Sequence, residues 1–168
     1  MPLPEPQTDA NTFLARVIIP VLADLGMDSP AAEKLLMMTA AHESMGFRYR
    51  VQVGGPALSY FQIEPATLED LYVNYLSFRR GRQAMLDAYL PDGMSRTQAL
   101  EQDDHYACAA ARLLYARMPE ALPDVADDMA LAAYAKRNWN TSYGNATPEK
   151  YLDDFINYGP KPCPATWG

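Results

Sequence analysis

One segment of the sequence, PAAEKLLMMTAAHE, is apolar on nearly every side of a helix. It follows Ser29, a hydroxyl suited to the N-cap, and opens with Pro30 at the first helical position. Leu35 to Met38 then run around the helix axis and leave no continuous polar face for solvent. This segment therefore predicts a central buried helix enclosed by others. The chain has 168 residues, and a single domain of this size can bury roughly 70% of the surface that the unfolded chain exposes.

The rest of the chain shows helical spacing of apolar residues between turn signals. A proline inside the first pattern, Pro20, predicts a kink there, and Ser95 with Gln98 predicts a capping box. Further helices are predicted at about 11–25, 65–75, 80–90, 95–118, 127–139 and 148–158.

A stretch between the helices has a different period. RYRVQVGG alternates Tyr49, Val51 and Val53 with polar residues, which predicts a strand, and LSYFQI is a candidate partner strand. The expected fold class is mainly α, a helical bundle with a small β element. A single domain is expected over 11–159, between an extended N-terminal tail, 1–10, and a proline-rich C-terminal tail, 160–168.

Charge limits the partners. Fourteen Lys and Arg against 21 Asp and Glu give a net charge of −7, and Arg79, Arg80 and Arg82 form the densest basic group. A nucleic-acid partner is not expected, because such binding needs a cationic footprint. Membrane insertion is not expected either, because no apolar run approaches ~20 residues. The first residues lack the pattern of a secretory signal, so synthesis in a cytoplasm is expected.

The sequence has two cysteines, Cys108 and Cys163. Two are too few for a disulfide framework or a zinc knuckle. Two unpaired thiols are the expected state, and a disulfide in an oxidising compartment is the alternative.

Glu43 is the first candidate for chemistry. It shares one face of the predicted buried helix with Ala32, Leu36 and Ala40. Burial and the negative end of the helix dipole would both raise the pKa of its carboxyl group. A carboxylic acid still protonated near neutral pH can serve as a general acid. The alternative is an ordinary residue of the last helical turn that faces water.

Several ordered motifs resemble those of the lysozyme-like superfamily, closest to the family 1 type of lytic transglycosylase and its phage-encoded relatives. The run HESMGF contains the Glu-Ser pair of that family, and QIEPAT matches its Gln-Ile-x-Pro-x-Thr run. Gln62 lies nineteen residues after Glu43, which fits the family's spacing. Downstream, ALAAYAKRNWN resembles the family's Ala-Ala-Tyr-Asn-Ala-Gly segment and TPEKYLDDF its closing helix.

The sequence departs from this family at several positions. Ser59 and Pro56 stand where glycines are usual. Tyr60 and Phe61 are bulkier than the usual Leu-Met, and AKR (135–137) replaces Asn-Ala-Gly after the family's tyrosine.

The resemblance implies an α+β lysozyme-like domain whose β element lies beside the active-site cleft. It implies cleavage of the β-1,4 bond between N-acetylmuramic acid and N-acetylglucosamine in peptidoglycan glycan strands, with Glu43 as the catalytic acid. It needs no metal and no cofactor, and a metal site from His42, Glu43, His105 and Cys108 is disfavoured because no further ligand has suitable spacing. The substrate-binding residues that it implies are Gln62, Ser59, Tyr60, Tyr134 and Asn140.

The reaction type depends on a second acid. Residues 44–63 contain no Asp and no Glu, which favours the one-carboxylate reaction that forms 1,6-anhydro-N-acetylmuramic acid. A hydrolytic lysozyme using Glu64 is one alternative. A non-catalytic glycan-binding or structural module of a virion is another. Action in the periplasm or cell wall is expected, with virion or secretion-machine proteins as candidate partners. For Gln62, a purely structural amide is the alternative to a sugar ligand.

Overall fold

The computed structural model describes residues 2–139 and 145–168, and this part of the chain is mainly helical. The expected α class is confirmed. In chain order the α-helices are α1 (Ala10–Phe13), α2 (Ile19–Leu25), α3 (Pro30–Glu43), α4 (Pro65–Asn74), α5 (Arg80–Ala88), α6 (Arg96–Gln102), α7 (Asp104–Ala116), α8 (Asp128–Asn138) and α9 (Pro148–Tyr158). A π-helical segment, Leu14–Ile18, joins α1 to α2, and short 3-10 helices lie at Leu76–Phe78 and Ala165–Trp167.

Helix α3 lies at the centre of the molecule, as its composition predicts. It contacts α2, α7, α8 and α9. Leu35, Leu36, Met37 and Met38 are at most 1% exposed. The Ser29 hydroxyl accepts a hydrogen bond from the Ala32 amide at 3.0 Å, so the predicted N-cap is confirmed.

The π-helical segment Leu14–Ile18 lies just before Pro20, which stands in the first turn of α2. Proline has no N–H, so it cannot bond to the carbonyl four residues earlier, that of Arg16. His105 Nε2 lies 2.9 Å from this carbonyl oxygen and supplies the missing donor. The irregular turn thereby attaches the first helix to α7.

The single long helix expected over 95–118 is wrong. It is two helices, α6 and α7, which meet at Asp103 in an extended conformation. The Asp103 carboxylate accepts a hydrogen bond from the Tyr106 amide at 2.9 Å and so caps a new helix. The Ser95–Gln98 capping box is confirmed.

The expected β element is not present as strands in the described part of the chain. Only isolated antiparallel bridges occur, between Val51 and Leu58 and between Leu58 and Ile63. Ser59 and Gln62 have left-handed φ angles of 71° and 52°, and such residues interrupt an extended chain. Because the expected strand pairing is absent, residues 49–63 form an irregular loop, and Val51 is 46% exposed.

Both ends of the chain are attached to the core. The backbone N–H of Gln7 donates a hydrogen bond to the Phe47 carbonyl at 2.8 Å. Trp167, in the segment expected as an extended tail, is 1% exposed and donates its indole hydrogen to Glu33 at 3.1 Å.

In the same structure Cys108 and Cys163 are free thiols. In the described residues we find no helix with the length and apolar character needed to cross a membrane.

Candidate functional site

Glu43 is the last residue of α3, and the chain turns sharply after it. The Ser44 hydroxyl donates to the Ala40 carbonyl at 2.6 Å and accepts from the Phe47 amide at 2.7 Å. Met45, Gly46 and Phe47 all have positive φ angles. A Cβ on Gly46 would lie 2.7 Å from the Tyr158 ring, so the turn needs glycine there for space as well as for conformation. This turn fixes the end of α3 and therefore the position of Glu43.

The Glu43 carboxyl group is largely shielded from solvent by its surroundings. Burial raises its pKa from an ordinary value of 4.5 to about 7. The hydroxyl of Tyr151 on α9, a residue that is 0% exposed, donates a hydrogen bond to Glu43 Oε1 at 2.9 Å. This bond lowers the pKa of the carboxyl group, but burial has the larger effect. At neutral pH a substantial fraction of Glu43 is therefore protonated, as a general acid requires.

His42 anchors α3 to α9 beside this carboxyl group. Its Nδ1 lies 2.7 Å from Asp154 Oδ2, and Lys150 Nζ lies 2.7 Å from Asp154 Oδ1. Burial lowers the pKa of His42 despite the nearby Asp154 carboxylate. The His42 ring also packs against the Tyr151 ring, with 3.9 Å between ring centroids and an angle of 30° between the ring planes. Tyr151 is thus held from one side by His42 while its hydroxyl bonds to Glu43.

An aromatic cluster packs against α3 at Thr39, one turn before Glu43. The Tyr115 hydroxyl, on α7, lies 2.7 Å from Thr39 Oγ1. Its pKa is raised mainly by burial and also by the nearby charge of Glu43. The Trp139 ring lies 4.7 Å from the Tyr115 ring, and its indole N–H donates to the Phe61 carbonyl at 3.0 Å. This cluster connects the 49–63 loop, which carries Gln62, to the helices around Glu43.

Gln62 lies in a tight turn rather than in an extended segment. It is half-buried, and its Nε2 donates to the Ser59 carbonyl at 2.9 Å. The Ser59 hydroxyl accepts from the Phe61 amide at 3.1 Å, and Ser59 is 1% exposed. The φ of Ser59, 71°, is left-handed, a conformation that glycine adopts more readily than serine. One amide hydrogen of Gln62 is therefore used inside the loop, and its role as a sugar ligand remains a prediction.

Tyr60 and Tyr134 are placed as buried aromatic residues, each 1% exposed. Tyr60 packs against Phe13, and its hydroxyl donates to Gln7 Oε1 at 2.9 Å. The Tyr134 hydroxyl donates to the Glu120 carbonyl at 3.2 Å. As placed, neither ring is open to a ligand, so contact with a sugar ring through Tyr60 or Tyr134 is not supported here. Asn140 lies outside the described residues.

Tyr151 was not predicted as a site residue from the sequence. It lies 108 residues after Glu43, and the only signal for it was the motif TPEKYLDDF, which was matched as a whole. Among the described residues no group of three or more His, Cys, Asp or Glu side chains is arranged to hold a metal ion.

Comparisons of the chain with protein-family models, with curated proteins and with solved structures found no match. The resemblance to lytic transglycosylases therefore rests on the sequence motifs alone.

Proposed function

We propose that this protein cleaves the glycan strands of bacterial peptidoglycan, with Glu43 as general acid and then general base. The observation that carries the proposal is the half-buried carboxyl group at the end of α3, hydrogen-bonded to Tyr151, with a pKa of about 7 that suits both roles near neutral pH. The Glu-Ser pair and the QIEPAT run add the resemblance to lytic transglycosylases. On this proposal the helical domain is lysozyme-like and residues 49–63 form one wall of its cleft.

The proposed reaction uses one carboxyl group. Glu43 gives its proton to the glycosidic oxygen as the bond from that oxygen to the anomeric carbon breaks. The carboxylate that results keeps the hydrogen bond from Tyr151, which favours its charged form. It then accepts the proton of the 6-hydroxyl of the muramic acid unit as this oxygen bonds to the anomeric carbon. The product is a 1,6-anhydro sugar, and Glu43 is again protonated.

Cleavage of this kind belongs to cell-wall degradation during phage infection or lysis. The protein would act from the periplasm or on the wall, delivered as part of a virion or a secretion machine. Peptidoglycan is the substrate in either case.

The test uses purified peptidoglycan sacculi and three proteins: wild type, Glu43→Gln, and the control Glu64→Gln. We expect wild type and the control to release soluble muropeptides with 1,6-anhydro ends, as measured by mass spectrometry. Glu43→Gln should be slower by at least about 100-fold, because general acid-base groups contribute on that order or more. Reducing ends together with an inactive Glu64→Gln would indicate a hydrolase. Binding to sacculi without cleavage by wild type would refute an enzyme and favour a glycan-binding module.

A further inference from the structure

A cationic groove lies where the start of α5 meets the end of α7. Its volume is about 700 Å³. It is lined by Tyr75, Arg79, Gly81, Arg82, Ala116, Arg117, Met118 and Pro119. None of these residues has been assigned a part in the chemistry at Glu43.

Two of the guanidinium groups are held by one tyrosine. The Arg79 guanidinium lies 4.1 Å from the centroid of the Tyr75 ring, and that of Arg82 lies 6.0 Å from it. Arg82 also donates a hydrogen bond to the Tyr75 hydroxyl. Tyr75 itself is only 7% exposed, so it forms a fixed support. The two charges are thus oriented by the structure.

Positive charge exceeds negative charge in this groove. No acidic residue is among the described residues that line it. Arg117 has a partner in Asp70, at 2.6 Å, which balances one of the three arginine charges. The half-buried Arg112 adds a further positive charge close to Arg82. Burial is the main effect that lowers the pKa of the Arg112 guanidinium group, and the charge of Arg82 also lowers it. In a chain with a net charge of −7, this concentration of arginine is a local reversal of sign.

The position of these arginines is unfavourable for the helix that carries them. Arg79 is the N-cap of α5 and makes no side-chain capping hydrogen bond, and Arg80 and Arg82 lie in its first turn. Cations at this end of a helix oppose the helix dipole. An oxyanion bound in the groove would offset this repulsion, since planar guanidinium groups match carboxylate and phosphate oxygens.

The groove is connected to the surroundings of Glu43. Its last lining residue, Pro119, precedes Glu120, whose carbonyl accepts the Tyr134 hydroxyl. The Tyr134 ring lies 5.8 Å from that of Tyr115, whose hydroxyl is close enough to Glu43 to respond to its charge. A series of contacts thus joins the wall of the groove to the aromatic cluster beside Glu43.

We propose that the groove binds oxyanion groups of the cell-wall polymer, carboxylate or phosphodiester, at a distance from the bond that is cut. This inference rests on the proposed function. Its consequence is that a protein with a net negative charge can hold an anionic polymer through one cationic groove, in addition to its contacts near Glu43.

Binding to sacculi, measured by co-sedimentation at low salt, tests this proposal. The background is Glu43→Gln, so that the polymer stays intact. The variant Arg79→Gln/Arg82→Gln is compared with Arg16→Gln/Arg80→Gln, which removes the same charge from exposed positions outside the groove. We expect the groove variant to bind about tenfold more weakly than the control, through the loss of charge-assisted hydrogen bonds. Equal binding by the two variants would overturn the proposal.

The fold of the groove variant is checked by thermal unfolding. If it is destabilised, the single variants Arg79→Glu and Arg80→Glu decide the question, since both positions are exposed. Weaker binding by Arg79→Glu alone supports the groove, and equal binding refutes it.

Pretreated sacculi identify the source of the anion. Sacculi whose carboxyl groups are amidated by carbodiimide coupling to ammonia should abolish the difference between the variants if carboxylates are the ligand. Removal of phosphodiester polymers by hydrofluoric acid should abolish it if they are. A difference that survives both treatments, or that appears only with vesicles of anionic lipid, would contradict the proposal.

The two proposals can fail separately. Wild type that cleaves sacculi while the groove variant binds like its control leaves the function of Glu43 standing and refutes the groove. A groove-dependent binding without cleavage by wild type supports the groove and refutes the enzyme.

Discussion

Replacing Glu43 by Gln should stabilise the folded protein at neutral and alkaline pH. The pKa of this carboxyl group is about 7 in the folded state, against an ordinary value of 4.5. The folded protein therefore keeps a proton that the unfolded chain releases at lower pH. Glutamine resembles the protonated form in shape, carries no charge, and can accept the Tyr151 hydrogen bond through its amide oxygen.

The sign and the size of the change in the free energy of unfolding follow from this difference between the two pKa values. Below pH 4.5 both states are protonated and the wild type is fully stable with respect to this group. As the pH rises from 4.5 through the folded-state pKa of about 7, the free energy of unfolding of the wild type falls. Above the folded-state pKa it falls no further on account of this group. The full loss is about 3 kcal/mol, because each pKa unit corresponds to about 1.4 kcal/mol.

Urea unfolding of wild type and Glu43→Gln between pH 4 and pH 8 measures this loss directly. The difference between their free energies of unfolding should grow across that range in favour of the variant. Glu69→Gln is the matched control, because Glu69 is exposed on α4 and its replacement should change stability by less than about 0.5 kcal/mol. A difference for Glu43→Gln that does not vary with pH would refute the reasoning.

Three further predictions concern other parts of the same structure. Tyr151→Phe removes a hydrogen bond that lowers the pKa of Glu43, so the alkaline limb of the pH-activity profile should move to higher pH; an unmoved limb would count against the contact. Gly46→Ala should lower the free energy of unfolding in urea by more than about 1 kcal/mol, because it combines a left-handed φ of 69° with a clash at 2.7 Å, and an unchanged stability would contradict this. A thiol reagent should modify Cys163 alone in the native protein and Cys108 only after denaturation, whereas rapid reaction of two native thiols would show that Cys108 is not buried.

Local signals in the sequence were sufficient to predict most helices. Ser29-Pro30 at the start of α3 and the Ser95–Gln98 capping box define helix starts by hydrogen bonds within four residues. The last predicted helix, 148–158, has the bounds of α9. Such features depend on neighbouring residues and can be recognised without knowledge of the fold.

Two errors have a common cause. The alternation around Val51 predicts a strand, but a strand also needs a partner, and the left-handed turn at Ser59 and Gln62 prevents continuous pairing. The prediction of one helix over 95–118 did not take account of Asp103 as an N-cap. Its carboxylate accepts a hydrogen bond from the Tyr106 amide and so begins α7. In both places one or two residues with a specific local role outweighed a periodic pattern.

The candidate site was predicted in part. Helical spacing placed Glu43 at the end of a buried helix, and burial dominates its pKa as expected. Tyr151 is brought to it only by the packing of α9 on α3, which no local pattern encodes. Tyr134, which its motif suggested as a substrate-binding residue, is instead buried beside Tyr115 of α7.

The titration of Glu43 tests the central claim most directly. Carbon-detected NMR of wild type, with Glu43→Gln to assign the side-chain carboxyl resonance, gives the pKa of this one group. The account predicts a midpoint of about 7. A midpoint near the ordinary value of 4.5 would mean that Glu43 is ionised at neutral pH and cannot serve as the acid.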